Sequence, residues 1–538
     1  MRRSLLTGLR RVLRSRWAVR LAVAVLLGQM AVAMVTTAVR QTPTIDEPVY
    51  VGAAVVQWRE HSLRHNPEHP PLGKLLIGAG AAFAGPRLEP PLPADQGLLG
   101  RRLLYESGND PWRLMLCARL PVIALTLLFG LVVFAFAGEL TGPAGGSVAL
   151  ALYAFSPDVI AHGSLATLDV PAAGFLLTSV WLAWRARRRP GLYLPLAGAA
   201  LGAAVATRMN ALAALPVLAA LAALSVRHAR PGARARALAG AGVVALVALA
   251  VVWGAYLTVD PRLRWAPVRV PDVRGLRGVL VGLLPLPEPF RDGMRLQFAL
   301  ENRPWKGFLF GRLYTGSLWY YLPAALLVKT PLGMLALWTA GAVSLTAVRR
   351  LRPAAPYLLA PAAVLLAAAM WGSRDFGTRY AVFLPMFLAV AAAGVPALRR
   401  RWAPAAAAAL ALFVAVSSAR AYPFYLPYSN EAFGGPAATR LRLHDSNVDW
   451  GQDLGRLAER LRERWPGQRV WLVYKGSGVP SYYGILAADP RRVPADRVRG
   501  LLVVSDSAAA KARGRLAELL GSSRAVEDVG HSITVYRR

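Results

Sequence analysis

Cysteine is all but missing from this chain. Of 538 residues only Cys117 is one, which excludes an internal disulfide framework and any cysteine-built metal site. Acidic residues are scarce too: 29 Asp and Glu stand against 63 Lys and Arg, a formal net charge of +34. Charge of either sign makes up only 17% of the residues, where soluble domains carry about 25%. There is no internal repeat and no long low-complexity linker; the alanine run Ala405 to Ala409 belongs to an apolar stretch. What is abundant is apolar: 55% of the chain is hydrophobic and mean hydropathy is +0.39. That composition excludes a soluble globular protein.

The apolar residues come in runs of about 17–25, the length that spans a bilayer. They lie near 17–39, 113–137, 147–163, 168–184, 192–207, 210–226, 237–258, 318–347, 355–371, 379–397 and 403–421, which predicts about eleven spans. Leu72 to Ala84 is apolar but short, and reads as an interfacial or re-entrant helix. The N-terminus, with Arg2, Arg3, Arg10, Arg11, Arg14 and Arg16 before a long apolar run, has the outline of a signal peptide. The run is too long for that and further spans follow it.

A basic excess of this size can mark a nucleic-acid binder. Here the basic residues fall mainly between the apolar runs, so they report topology and no nucleic-acid partner is expected. With a cytoplasmic N-terminus, the inside loops hold Arg185 to Arg189, Arg227 to Arg236, Arg349 to Arg352, and Arg399 to Arg401. Every dense basic cluster then lies on one side; only the loop from Glu139 to Gly146 lacks such support. The opposite face receives the long loops 40–112 and 259–317, the turn Asp158 to Thr167, the short loop Gly372 to Thr378, and everything after Ala421. The expectation is a multi-pass protein of the inner (plasma) membrane. Its transmembrane domain is 1–421 and an extracytoplasmic domain follows at 422–538. In that tail, Val448 to Trp465 and Ala508 to Leu520 read as helices, and Arg469 to Tyr474, Leu501 to Ser505 and Ser532 to Tyr536 as strands. Together they predict a small α/β domain.

Polar chemistry gathers on the outer face. Asp46-Glu47 follows the first span directly, and two carboxylates there are costly unless they meet water, a cation or a substrate. Such a carboxylate can act as a general base or bind a divalent cation; it can equally be a solvated loop acid or the partner of an arginine. Asp169 stands at the mouth of the fourth span, two residues before Pro171, where an N-cap role competes with a functional one. His162, in the same hairpin, reads as a hydrogen-bonded structural histidine. His69-Pro70-Pro71-Leu72-Gly73-Lys74 puts His69 and Lys74 beside a helix N-terminus, a setting suited to phosphate; the alternative is an interfacial anchor with a snorkelling lysine. Lys329, in Lys329-Thr330-Pro331, is an intramembrane cation and so either functional or paired. Arg374 and Arg379, flanking Asp375-Phe376-Gly377-Thr378, can fork onto an anionic headgroup or pair with Asp375. Asp445, Asp449 and Asp453 are spaced by four, which would align them on a helix face; acids favouring a helix N-terminus account for them more simply.

In this order and on this membrane side, Asp46-Glu47, His-Pro-Pro-Leu-Gly-Lys, Asp169, Lys329-Thr330-Pro331 and Gly377-Thr378-Arg379-Tyr380 resemble the GT-C glycosyltransferases. The match is to family 39, the protein O-mannosyltransferase-like group, in its bacterial form; the aminoarabinose transferases of lipid A share that architecture. The resemblance covers most of 17–421, and Asn447-Val448-Asp449-Trp450-Gly451-Gln452-Asp453 in the tail is similar to bacterial members. It implies a GT-C-type bundle whose donor is a sugar on a polyprenyl phosphate, transferred with inversion. The acceptor would be a hydroxyl of a protein, a glycolipid or a cell-wall polymer. It implies Asp46 as catalytic base, Glu47 beside it in the motif, and Asp169 as the second acid. His69, Lys74, Arg374, Arg379 and Lys329 are the residues assigned to the donor phosphate. Where the aminoarabinose relatives have lysine before Pro-Pro-Leu, this chain has His69, so Lys74 or an arginine takes more of that work. No cofactor is implied, and a divalent cation is left open. The competing class is a polytopic transporter or lipid flippase, which predicts mid-membrane charges and inverted repeats; the acids here lie at span ends.

Overall fold

The structure, a computed structural model, describes residues 16–229, 234–264, 270–398 and 400–538. Arg2 to Arg14, and Arg230 and Arg399 of the basic loop clusters, lie outside the described residues. Seven helices are long and apolar enough to cross a bilayer: Arg16–Arg40, Pro111–Thr141, Pro190–Thr207, Met209–Ala229, Arg234–Val259, Arg352–Met370 and Ala403–Arg420. Two bent pairs, Pro143–Ala154 with Pro157–Gly163 and Tyr321–Lys329 with Leu332–Ala347, raise the count to nine. The remaining two expected spans are helical but shorter, at Asp169–Arg185 (17 residues) and Phe383–Ala397. All eleven apolar runs are therefore helical, and the protein is a polytopic helical membrane protein.

Two of the expected spans, near 147–163 and 318–347, are bent. Proline supplies no amide to the helix ladder and displaces the preceding residue from helical geometry. At Ser156-Pro157 the axis turns by 63°, and at Thr330-Pro331 by 118°. Carbonyls freed at the second bend need partners where water is scarce. Asn430 provides them: its Nδ2 donates to Leu327 O (2.7 Å) and Thr330 O (2.8 Å), and its amide to Val328 O (2.9 Å).

The first long loop folds into helices Glu47–Glu60, Pro71–Ala82 and Gln96–Arg101. Pro48 and Pro71 sit in the first turns of two of them, where a missing amide costs nothing. Gly100 lets Gln96–Arg101 press on the start of Glu47–Glu60; a Cβ there would lie 2.3 Å from Pro48 O. The second long loop contributes helices Leu276–Leu283 and Glu288–Glu301 and a hairpin of strands β1 (Lys306–Leu309) and β2 (Arg312–Thr315).

The tail carries a five-stranded sheet of β3 (Val470–Val473), β4 (Ala487–Ala488), β5 (Leu501–Ser505), β6 (Arg524–Val529) and β7 (Ile533–Arg537), in the order β4-β3-β5-β7-β6. β3 runs parallel to β4 and β5, while β7 is antiparallel to β5 and β6. β4 and β6 were not legible as strands, being very short or mixed in polarity. The expected helix from Val448 starts only at Leu454 and ends at Arg464. Residues 445–453 instead form a buried irregular segment wedged against the membrane bundle, so the three spaced aspartates share no helix face. The helix expected at Ala508 to Leu520 is split into Asp506–Ala510 and Arg515–Gly521.

Candidate active site

The segment 42–47 is fixed from both sides. Thr42 and Ile45 amides donate to Gln452 O (3.0 Å) and Trp450 O (2.9 Å), and Ser477 Oγ donates to Thr44 O (2.8 Å). Gly451, at φ +89°, permits the crossing: a Cβ there would lie 2.8 Å from Gly476 Cα. Held this way, Asp46 and Glu47 point into different surroundings.

Glu47 is fully buried and saturated. Arg119 Nε and Nη2 grip its two oxygens at 2.7 Å each, Ala166 N donates at 2.8 Å, and Thr44 donates from N (2.9 Å) and Oγ1 (3.0 Å). Burial pushes this carboxyl up, but the Arg119 charge and these bonds outweigh it and hold it below the ordinary glutamate range. Arg119 also donates to Ala38 O (2.6 Å) and Gln41 O (2.9 Å), pinning the end of the first span. Glu47 is thus a structural clamp, and no oxygen of it is left for a reacting group.

Asp46 keeps a quarter of its side chain accessible. Arg379 Nη1 donates to its Oδ2 at 2.6 Å, and Oδ1 has no hydrogen-bond partner among the described residues. The Arg379 guanidinium carbon lies 4.4 Å from the Trp450 ring centre and 5.1 Å from that of Tyr380. On the other side of Tyr380 stands Arg208, 5.4 Å from the ring centre and ion-paired with Asp169. Arg374 completes the set: it donates to Glu301 Oε1 from Nε (2.8 Å) and Nη2 (2.6 Å), and to Gln297 Oε1 (2.7 Å). Glu301 also accepts from the Ser373 amide (2.6 Å), tying the second long loop to the turn that carries Arg374.

Asp169, Arg208, Glu301, Arg374, Arg379 and Tyr380 border a cavity of about 580 Å³, which Asp46 adjoins through its bond to Arg379. Asp169, Arg208, Arg374, Arg379 and Tyr380 are among its polar lining, and Leu176, Leu212, Met294, Phe298, Leu365 and Phe383 among its apolar lining. A chamber lined by four guanidinium groups (Arg208, Arg277, Arg374 and Arg379) and by hydrocarbon fits an amphiphile with an anionic head.

Four residues assigned from sequence thus meet at one place: Asp46, Asp169, Arg374 and Arg379. The His69 ring is half-buried, edge-on to Tyr50 at 5.6 Å. Burial and the nearby Arg208, Lys74, Arg374 and Arg379 charges hold it well below the usual histidine range, so it is neutral. Lys74 and Lys329 are not brought to the cavity. Lys74 Nζ donates to Asn66 O (2.6 Å) and His69 O (2.8 Å), closing the loop ahead of its helix. Lys329 Nζ donates to Leu426 O and Asn447 O (3.1 Å) and sits 3.6 Å from Asp158 Oδ1. Both cations are consumed by architecture, as charges buried in an apolar setting must be.

Sequence reasoning passed over Arg119, Arg208, Glu301 and Trp450. Arg119 had a signal, a charge inside an otherwise apolar run; Arg208 had a weaker one at a span end. Asp445, Asp449 and Asp453 each have separate partners: Lys475; the Gly451 and Ser507 amides; and Arg456 with Ser532. Among the described residues, no three His, Cys, Asp or Glu are grouped to hold a metal ion.

Comparison with known proteins bears on this arrangement. Residues 113–254 match the family described as dolichyl-phosphate-mannose-protein mannosyltransferase. The matched stretch is under half of the chain and contains Arg119, Asp169 and Arg208. It is the glycosyltransferase group that the sequence motifs resemble. No curated protein matches this chain in sequence. Among solved structures, ArnT from Cupriavidus metallidurans bound to undecaprenyl phosphate is similar at 16% identity and a TM-score of 0.49, over 97% of this chain and 98% of that one. Its apo form gives 17% identity and 0.46, over 96% and 97%. The Archaeoglobus fulgidus oligosaccharyltransferase in the apo form gives 12% identity and 0.44, over 83% of this chain and 58% of that one.

Proposed function

We propose that this protein is an integral membrane glycosyltransferase that moves a sugar from a polyprenyl-phosphate donor to an acceptor hydroxyl, with inversion at the anomeric carbon. The observation that carries this reading is the pairing of Asp46 with Arg379, one of four arginines lining a cavity that also has an apolar wall. The matched family description, which names a lipid-phosphate sugar donor, agrees with it.

In this reaction the acceptor oxygen attacks the anomeric carbon as the bond from that carbon to the donor phosphate oxygen breaks. The acceptor proton passes to Asp46. The electron pair leaves with the phosphate, and Arg208, Arg374 and Arg379 stabilise the growing charge. The products are the glycosylated acceptor and polyprenyl phosphate. Arg208, Arg374 and Arg379 each already have a carboxylate partner, and the paired acids orient their guanidinium planes. A donor held by its prenyl chain cannot leave the bilayer, which accounts for a site where apolar wall and polar end meet. On this reading the face lies outside, with a cytoplasmic N-terminus and the inner (plasma) membrane as the site of action; the basic loop clusters support that orientation. The acceptor is a protein, glycolipid or cell-wall hydroxyl.

The test is turnover by purified protein in lipid vesicles supplied with polyprenyl-phosphate sugars, comparing wild type with Asp46→Asn. Release of polyprenyl phosphate by wild type, lost in the variant while donor binding persists, supports the reading. A folded wild type that binds donor and moves it across the bilayer without cleaving it would point to a lipid transporter.

A further inference from the structure

A second cavity, of about 470 Å³, lies at the far ends of the helices that carry Asp169 and Arg208. Helix Asp169–Arg185 starts at the first cavity and ends at the second; Pro190–Thr207 runs back again. Seventeen residues of helix separate the two by about 25 Å. The candidate active site makes no use of this place.

Its lining is basic and shaped. Arg185, Arg187, Arg188 and Arg189 border it against a single acid, Glu139. Arg185 Nε pairs with Glu139 at 3.2 Å, and its guanidinium is also packed on Tyr193 (4.7 Å) and Trp181 (5.0 Å). Arg187 lies 4.1 Å over Trp184 and donates from Nη2 to His228 Nε2 at 2.9 Å, which requires that nitrogen to be unprotonated. Arg187, Arg188 and Arg189 have no carboxylate partner among the described residues. The start of helix Pro190–Thr207 borders the cavity as well, adding the positive end of its dipole.

A topological charge cluster needs none of this. Arg349 and Arg350 show the contrast: both are exposed, with no ring contact and no carboxylate partner among the described residues. Around the second cavity, two guanidinium groups are oriented on aromatic rings while uncompensated charge remains. Trp181, Trp184 and Tyr193 at the helix ends set the depth, since such rings lie at the headgroup level. Basic pockets between helix ends at that depth suit lipid phosphates.

We propose that this cavity is a binding site for the phosphate of an anionic lipid headgroup, in the leaflet opposite the arginine-lined active cavity. Arg187, Arg188 and Arg189 contact the phosphate oxygens, and Arg185, neutralised by Glu139, forms the wall. The proposal stands apart from the glycosyltransferase reading, because it requires no turnover.

The test follows thermal unfolding of the full chain in detergent by its tryptophan fluorescence, titrated with phosphatidylglycerol, phosphatidylcholine or inorganic phosphate. Phosphatidylglycerol is expected to raise the transition and phosphatidylcholine not. The double variant Arg187→Gln/Arg188→Gln should need about tenfold more lipid for the same shift, while Arg349→Gln/Arg350→Gln behaves as wild type. Arg189→Gln, at an exposed position, repeats the test should the double variant fold poorly. An equal shift with inorganic phosphate would keep the site and make its ligand a water-borne phosphate. An equal weakening in the Arg349/Arg350 control, or a response unchanged by the cavity variants, overturns the proposal.

Discussion

The guanidinium of Arg379 lies 4.4 Å from the centre of the Trp450 indole while one of its nitrogens holds Asp46 at 2.6 Å. A side chain from beyond the last membrane helix therefore supports the cation at the candidate catalytic acid. A desolvated contact of this kind is worth roughly 2 kcal/mol. Trp450→Leu is expected to lower kcat about tenfold or more, with a smaller change in donor KM, and Trp450→Phe to retain most of the rate. If Phe were as slow as Leu, the ring–cation contact would not be what sets the rate.

Glu47 and Asp46 are neighbours with opposite expected phenotypes. Glu47→Gln leaves Arg119 buried without its counter-charge, and breaking such a pair costs about 3–5 kcal/mol. The expected result is a large drop in melting temperature and yield. Asp46→Asn removes the partner of buried Arg379, but at a site a quarter accessible, so it should lower melting less than Glu47→Gln while abolishing turnover. Thermal unfolding beside donor turnover in both variants checks the division. A stable, inactive Glu47→Gln would return Glu47 to the chemistry.

Asp449 makes the tail pH-sensitive. Burial raises this carboxyl from 3.8 to about 7, with Asp506 adding to the rise and Lys475 opposing it. Between those values the folded chain binds a proton that the unfolded chain has released, so stability falls as pH rises and levels off above about 7. Asp445 has the opposite sign: Lys475 overcomes burial and holds it at about 2, so its contribution is lost only in strong acid. Subtracting Asp449→Asn isolates the first effect. Hydrogen exchange in β3 and β5 of wild type should accelerate between about pH 5 and pH 8 relative to the variant, by an amount equivalent to about 2–4 kcal/mol. A pH-independent difference would show that Asp449 ionises normally.

Metal removal is expected to leave turnover intact. Asp46 and Asp169 are each paired with an arginine, and among the described residues no three His, Cys, Asp or Glu are grouped to hold a metal ion. Activity after exhaustive chelation should stay within about twofold of the untreated enzyme, well under the effect of losing a Lewis acid. Loss on chelation with recovery on adding Mg²⁺ or Mn²⁺ would reverse this.

The bundle was legible because bilayer spans are written in composition, and each of the eleven apolar runs is helical. The bends at Pro157 and Pro331 were written there too, as prolines inside two runs, but how far each axis turns depends on partners such as Asn430, about a hundred positions away from the bend it serves. The acids Asp46 and Asp169 and the arginines Arg374 and Arg379 could be chosen because polar groups at span ends are rare. Lys74 and Lys329 misled for the same reason: a rare cation looks functional until its partners are visible, and backbone carbonyls leave no trace in a sequence. Residues 445–453 carried a recognisable motif, but spacing by four suggested a helix where burial against another element imposed a loop.

The bend at Thr330-Pro331 also bears on biogenesis. Its exposed carbonyls are satisfied by Asn430, and Lys329 by Leu426 and Asn447. Residues 42–45 are likewise completed by 450–452. An emerging chain that has inserted all its apolar helices still lacks these partners, so the candidate active site closes only once the residues after Ala421 have been synthesised and delivered to the same membrane face. Premature termination in that stretch would leave a fully inserted protein with an open site, a target for membrane quality-control proteolysis rather than a shortened enzyme.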